Sequence, residues 1–146
     1  MRTVLILISA AALVLGLAGW AAADPVYHTE RLALQGVGGA PGGGMIVNVH
    51  ANGPNVYAHE IYTLNHAVPG TYQVVLNVYP GSLDCSGTPI MLPTAEITTN
   101  AVGNGRADAT FTPEMVGELR GSTVSISWTV TGPATYVTRC TVVTLD

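Results

Sequence analysis

Residues Thr123–Thr131 read TVSISWTVT, a stretch in which hydroxyl-bearing and apolar side chains alternate at every position. The four apolar residues, which would share one face of a strand, are Val124, Ile126, Trp128 and Val130. Because successive side chains of a β-strand point to opposite faces, the pattern predicts a strand with one buried and one solvated face. Such strands are typical of antiparallel sheets that are covered on one side only.

The same alternation recurs along the rest of the chain. It is clear in Tyr72–Tyr79 and in Gly105–Thr112, and it is weaker in five other segments. Those five are Val26–Leu34, Met45–Ala51, Val56–Leu64, Thr94–Thr99 and Tyr136–Leu145. Eight short strands separated by turn-forming residues predict an all-β fold, and we expect an antiparallel Greek-key β-sandwich of about eight strands. Residues 112–119 alone have the threonine cap and early proline of a short helix.

The N-terminal 23 residues have the composition of a secretory signal peptide. One basic residue, Arg2, precedes a long apolar run that ends in the small residues Ala21–Ala23. We therefore predict cleavage before Asp24, a single domain over residues 24–146, and a secreted, extracellular or cell-envelope location. The alternative is an uncleaved membrane anchor, because the apolar run is only just short of spanning length. No later segment is apolar enough to insert into a membrane once the signal is removed.

The charge of the predicted domain argues against two classes of partner. Residues 24–146 contain four arginines, no lysine and nine acidic residues, a net side-chain charge of −5 with the histidines neutral. A nucleic-acid-binding protein needs a basic patch, and so does a protein that binds anionic lipid. The composition predicts neither activity.

The sequence contains two cysteines, Cys85 and Cys140, and both lie in the predicted exported domain. A lone pair of cysteines in an oxidising compartment usually forms one disulfide bond, which we predict here. The alternative is a pair of separate buried thiols. The spacing of the two residues does not match a zinc site or a redox-active CxxC motif.

The segment Val68–Val78 reads VPGTYQVVLNV and resembles a strand of bacterial extracellular immunoglobulin-like domains. The resemblance implies an immunoglobulin-like sandwich with Tyr72 as a tyrosine corner, whose hydroxyl bonds back to the backbone. A second segment, Thr98–Ala107, is similar to a hairpin of secreted β-sandwich proteins. Together the two segments cover about twenty residues and concern turns, so they bear on the fold and not on activity.

Three of the four histidines, His50, His59 and His66, fall within seventeen residues and are candidate metal ligands. Copper–zinc superoxide dismutase, a sandwich protein, requires a His-x-His pair that is missing around His50. Alternation places His50 opposite the Val47–Val49–Ala51 face, so we expect it to point outward. His66 lies in a turn that an extended strand would hold more than about 15 Å from His59. The pattern therefore predicts no high-affinity metal site and no cofactor.

Known catalytic motifs are absent from the sequence. It has no Gly-x-Ser-x-Gly elbow and no His-Glu-x-x-His helix. Glu60 and Glu96 lie on predicted strands, and no further feature of the sequence indicates that they form the carboxylate pair of a glycosidase. Six tyrosines could form a surface for protein or carbohydrate, or could fill the edges of a core built from valine, isoleucine and alanine. We predict a secreted, non-enzymatic module that binds an unknown protein or glycan or serves as an envelope structural component. The alternative is an exported copper- or zinc-binding protein that uses the three histidines, and an enzyme is the third class.

Overall fold

The computed structural model describes residues 26–52, 58–112, 115, 119 and 121–145. The predicted signal peptide, the predicted cleavage site and most of the predicted helix at 112–119 lie outside the described residues. Within those residues, no helix has the length and apolar character needed to cross a membrane.

The described residues form nine β-strands and one turn of 3₁₀ helix at Val37–Gly39. The strands are β1 Val26–Gly36, β2 Gly43–Asn52, β3 Ala58–Asn65, β4 Thr71–Pro80, β5 Ile90–Thr98, β6 Gly105–Phe111, β7 Ser122–Thr131, β8 Thr135–Val137 and β9 Thr141–Leu145. The last segment predicted as a single strand is divided into β8 and β9. Both of these pair with β7, one after the other along its length.

All strand pairs are antiparallel, and they form one sheet in the order β5-β4-β7-β8-β1-β2-β3-β6. The terminal strands of this order, β5 and β6, come close to each other, so the sheet is nearly closed. The prediction of an all-β antiparallel fold is confirmed. Near closure leaves few unpaired strand edges that could pair with another chain.

The alternating pattern that predicted the strands also predicts their buried faces. All four apolar residues of the TVSISWTVT stretch are buried, and so are Tyr72, Val74, Leu76 and Val78 of β4. Tyr62, Tyr72 and Tyr136 are among the largest fully buried side chains of the core. Three tyrosines therefore lie in the interior, deeper than the core edges at which the second interpretation placed them.

One end of the sheet is stabilised by tyrosine hydroxyls that donate hydrogen bonds to backbone carbonyls. Tyr72 donates to the carbonyl of Val68, and Tyr136 donates to that of Pro41 at 2.7 Å. The two rings contact each other with their centroids 5.8 Å apart. Gly103 completes this end with φ of 79°, and a Cβ there would lie 1.9 Å from the carbonyl oxygen of Ala67. We call it the Tyr72 end.

Replacing Tyr72 by phenylalanine is expected to lower the free energy of unfolding by about 1 kcal/mol, because the ring stays while the bond to Val68 is lost. Urea unfolding followed by circular dichroism measures the change. Tyr79→Phe is the matched control, since the Tyr79 hydroxyl has no hydrogen-bond partner among the described residues, and we expect a change within about 0.5 kcal/mol. Equal effects of the two substitutions would show that the Tyr72 hydroxyl does not stabilise the turn.

The predicted disulfide bond is present. Cys85 lies in the connection between β4 and β5, Cys140 lies between β8 and β9, and their Cα atoms are 5.8 Å apart. The backbone N–H of Cys85 also donates to the hydroxyl of Ser125 on β7 at 2.9 Å. The bond therefore holds the β4–β5 connection against the outer face of β7, next to the point where the final strand begins.

Candidate functional site

The structure corrects the predicted direction of His50, which is only 3% exposed. Along β2, Ile46, Asn48 and His50 share the buried face. This face of β2 points inward because Ile46 pairs with Leu32 on β1 and Tyr62 on β3, both of which belong to the core. The outward prediction was wrong because it took the valines on the other face of β2 as the buried set.

The three candidate metal ligands lie in different places. His59 is half-buried on the opposite face of the sheet, with Nε2 3.8 Å from the Asp108 carboxylate. His66 is exposed in the turn after β3, where its backbone N–H donates to the Asn104 side chain. Among the described residues, no group of three or more histidine, cysteine or acidic side chains is arranged to hold a metal ion.

Polar side chains cross three neighbouring strands on the inner face, at the end opposite to the Tyr72 end. Glu30 on β1 lies directly opposite Asn48 on β2, and Asn48 lies directly opposite Glu60 on β3. His50 follows two residues after Asn48 and faces the same way. We call Glu30, Asn48, His50 and Glu60 the polar strip and this end of the sheet the Glu60 end.

Glu30 organises the first half of the polar strip. Its carboxylate accepts a hydrogen bond from Asn48 Nδ2 at 3.2 Å and another from His50 Nε2 at 3.0 Å. Because a carboxylate only accepts, the amide must face it with its NH₂ group, and the proton of the imidazole must be on Nε2. The remaining atoms, Asn48 Oδ1 and His50 Nδ1, are buried and have no hydrogen-bond partner among the described residues. Both are acceptors when the imidazole is neutral.

Glu60 occupies the second half of the strip and is only 2% exposed. The Tyr62 hydroxyl and the indole Nε1–H of Trp128 both donate to its Oε2, the latter at 2.8 Å. Burial raises the pKa of Glu60 to about 7, and the two hydrogen bonds oppose that rise only in part. No cation is paired with Glu60 among the described residues. Burial, together with the negative charge of Glu60, also raises the pKa of Tyr62.

A cavity of about 200 Å³ lies against the polar strip at the Glu60 end. Asn48, His50 and Glu60 form one side of it. The other lining residues are Ala58, Leu76, Val78, Leu92, Pro93, Phe111, Met115, Leu119, Val124, Ile126, Val143 and Leu145. A dry apolar cavity of about 150 Å³ is large enough to bind benzene, so this one is large enough for a substituted ring.

Sequence reasoning missed this site, although one signal was available. Glu60 has the same phase as Tyr62 and Leu64 along β3, and these two residues are large and buried. An acidic residue in phase with core residues indicates a carboxyl group that folding must bury. The signal was weak because the alternate positions of β3 include Ile61, so both faces of the strand carry apolar groups.

No known protein family, curated protein or solved structure matches this chain. The site therefore has to be interpreted from its own chemistry. Three polar groups on one side of an apolar cavity are the usual composition of a pocket for a small molecule.

Proposed function

We propose that the protein is an exported, non-catalytic binding module that holds a small, largely apolar molecule in the cavity at the Glu60 end. The observation that carries the proposal is the pair of buried, unpartnered acceptors on Asn48 and His50, two residues that line an apolar cavity. A buried polar atom without a partner costs about 1–3 kcal/mol, and a ligand that donates to it recovers part of that cost. The apolar walls supply binding free energy of about 25 cal/mol per Å² of apolar surface removed from water.

Export is supported by two features. The N-terminal 23 residues have the order of charge, apolar run and small residues that signal peptides share. The Cys85–Cys140 disulfide is of the kind that persists in oxidising compartments. We propose a secreted or cell-envelope location on these grounds.

We also infer that the nearly closed sheet is a Greek-key sandwich of the immunoglobulin-like kind. One layer would be β1-β2-β3-β6 and the other β5-β4-β7 with β8 and β9. Two pairs of residues, Gln35 with Val137 and Gly36 with Tyr136, join these layers through β1 and β8. The chain passes between the layers three times, from β3 to β4, from β5 to β6 and from β6 to β7, and such connections between layers are typical of Greek-key sandwiches.

Binding of a protein or glycan to a tyrosine-rich surface has less support than binding of a small molecule in the cavity. Tyr62, Tyr72 and Tyr136 are in the core and cannot form an aromatic platform. The cavity, in contrast, combines apolar walls with polar side chains whose hydrogen-bonding capacity is only partly used. A small molecule is therefore the partner we propose in place of a macromolecule.

Calorimetric titration of the protein with toluene and benzyl alcohol tests this function. We expect one-to-one binding of both probes to the wild-type protein. Ala58→Phe, which adds a ring to a cavity-lining position, should abolish binding of both, because the added ring occupies the ligand volume. Ala33→Phe makes the same change on the exposed face of β1 and should leave binding unaltered.

Circular dichroism confirms that each variant is folded before titration. If Ala58→Phe does not fold, Ala58→Leu makes a smaller addition and should weaken binding of both probes. Absence of binding to the wild-type protein would contradict the proposal. So would equal binding by wild-type, Ala58→Phe and Ala58→Leu proteins, because the ligand would then lie elsewhere.

A further inference from the structure

Taking the cavity to be a ligand site, as proposed above, we infer that its ligand is a small apolar amine whose protonated amino group binds against Glu60 and Asn48. The inference adds a chemical class to the proposed function, and it depends on the hydrogen-bonding capacity of the polar strip.

The atoms of the polar strip that have no hydrogen-bond partner among the described residues are acceptors. Asn48 has its NH₂ group committed to Glu30, so its carbonyl oxygen Oδ1 is the free atom. Glu60 has both of its described hydrogen bonds on a single oxygen, Oε2. Acceptors are satisfied by donors, and a protonated primary amine brings three donors and no acceptor. A carboxylate or phosphate group would place acceptor against acceptor.

The charge balance of the site favours a cation over a neutral donor. Glu60 is buried and has no cation paired with it among the described residues. Among the described residues, Tyr62 donates a hydrogen bond to it, and the other two titratable groups of the polar strip, His50 and Glu30, are bonded to each other. The lining residues from β4, β5, β6, β7 and β9 are all apolar. A ligand ammonium would supply the positive charge that the buried carboxylate lacks.

The size and polarity of the cavity restrict the rest of the ligand. The volume of about 200 Å³ admits one six-membered ring with a short substituent. The polar groups lie on one side only, so the ligand should carry one polar group at one end and an apolar body. Benzylamine has this shape, and benzyl alcohol and toluene match it in size without the charge.

Calorimetric titration at pH 8 with these three probes tests the inference. We expect wild-type protein to bind benzylamine at least about tenfold more tightly than benzyl alcohol, as a charge-assisted hydrogen bond implies. Glu60→Gln keeps the shape of the side chain and removes its charge. In that variant the preference for benzylamine should disappear, while benzyl alcohol affinity should change by no more than about twofold.

Glu96→Gln is the matched control, because Glu96 is exposed on β5 and the substitution alters net charge by the same amount. This control should retain the full preference for benzylamine. If Glu60→Gln does not fold, Asn48→Leu removes the other acceptor and should weaken benzylamine binding more than toluene binding.

Two results would overturn the inference. One is a wild-type protein that binds benzylamine no more tightly than benzyl alcohol, and the other is a folded Glu60→Gln or Asn48→Leu protein that keeps the preference. In both cases, binding of benzyl alcohol and toluene would leave the proposed function standing. Failure of all three probes to bind would contradict the proposed function as well.

Discussion

Replacing Cys85 and Cys140 together by alanine is expected to lower the free energy of unfolding by about 4 kcal/mol. The two residues are 55 positions apart in sequence, so the disulfide closes a long loop in the unfolded chain. Without the bond the unfolded chain gains conformational freedom, and in the chain-entropy relation the gain grows with the logarithm of loop length. The folded state also loses the link between the β4–β5 connection and the segment before β9.

Urea unfolding at equilibrium measures this change through the transition midpoint. Thr88→Ala is a suitable control, because Thr88 is exposed in the same connection and should change stability by less than about 0.5 kcal/mol. Wild-type protein reduced in denaturant should unfold at the midpoint of the double variant. A double variant with the wild-type midpoint would show that the bond contributes no stability.

Wild-type protein is expected to lose about 3 kcal/mol of stability between pH 4.5 and pH 8 through Glu60 alone. The pKa of Glu60 is about 7 in the folded protein and 4.5 in the reference state, so over this range the folded state binds more protons than the unfolded state. Stability that depends on such a proton is fully present below the unfolded pKa. It falls as the pH rises and is lost above the folded pKa.

Glu60→Gln isolates this effect from the other titrating groups. Its carbonyl oxygen can accept the bonds from Tyr62 and Trp128, and it never becomes charged. We expect the variant to match wild type at pH 4 and to be more stable by about 3 kcal/mol at pH 8. Every other ionisable side chain is the same in the two proteins, so the difference between their unfolding curves reports Glu60.

Glu96→Gln serves as the reference for removing an exposed carboxylate, and it should change the free energy of unfolding by less than about 0.5 kcal/mol. A constant difference between Glu60→Gln and wild type from pH 4 to pH 8 would mean that Glu60 titrates normally. The prediction would then be wrong, and the side chain would have to be in contact with water.

The pH dependence of stability and the proposed binding of an amine both follow from the burial of the Glu60 carboxyl group. A buried carboxylate without a cation destabilises the folded protein at neutral and alkaline pH. Proteins retain such groups where function requires them, at a cost in stability. If an amine ligand supplies the missing positive charge, it should stabilise wild-type protein more than the Glu60→Gln variant at pH 8. The measurement is the shift of each protein's unfolding midpoint when the ligand is added.

The amino-acid sequence by itself determined the strands and most of their buried faces. In the TVSISWTVT stretch the apolar residues all have one phase, so a local pattern with a period of two residues was enough to identify the inner face. The disulfide followed from a count of two cysteines and an expected oxidising compartment. The first inference depends only on residues that are neighbours in sequence, and the second depends only on the number of cysteines and the expected compartment.

The tertiary structure alone decided which polar residues meet. Both faces of β2 and β3 carry apolar groups, so local alternation left the direction of Glu60 undecided and gave the wrong direction for His50. Their direction is set by Ile46, which pairs with core residues on both neighbouring strands. The partner of Glu60 on β7, Trp128, lies 68 positions away in sequence. Contacts at such separations depend on how strands pair across the sheet, and a pattern with a period of two residues contains no information about that pairing.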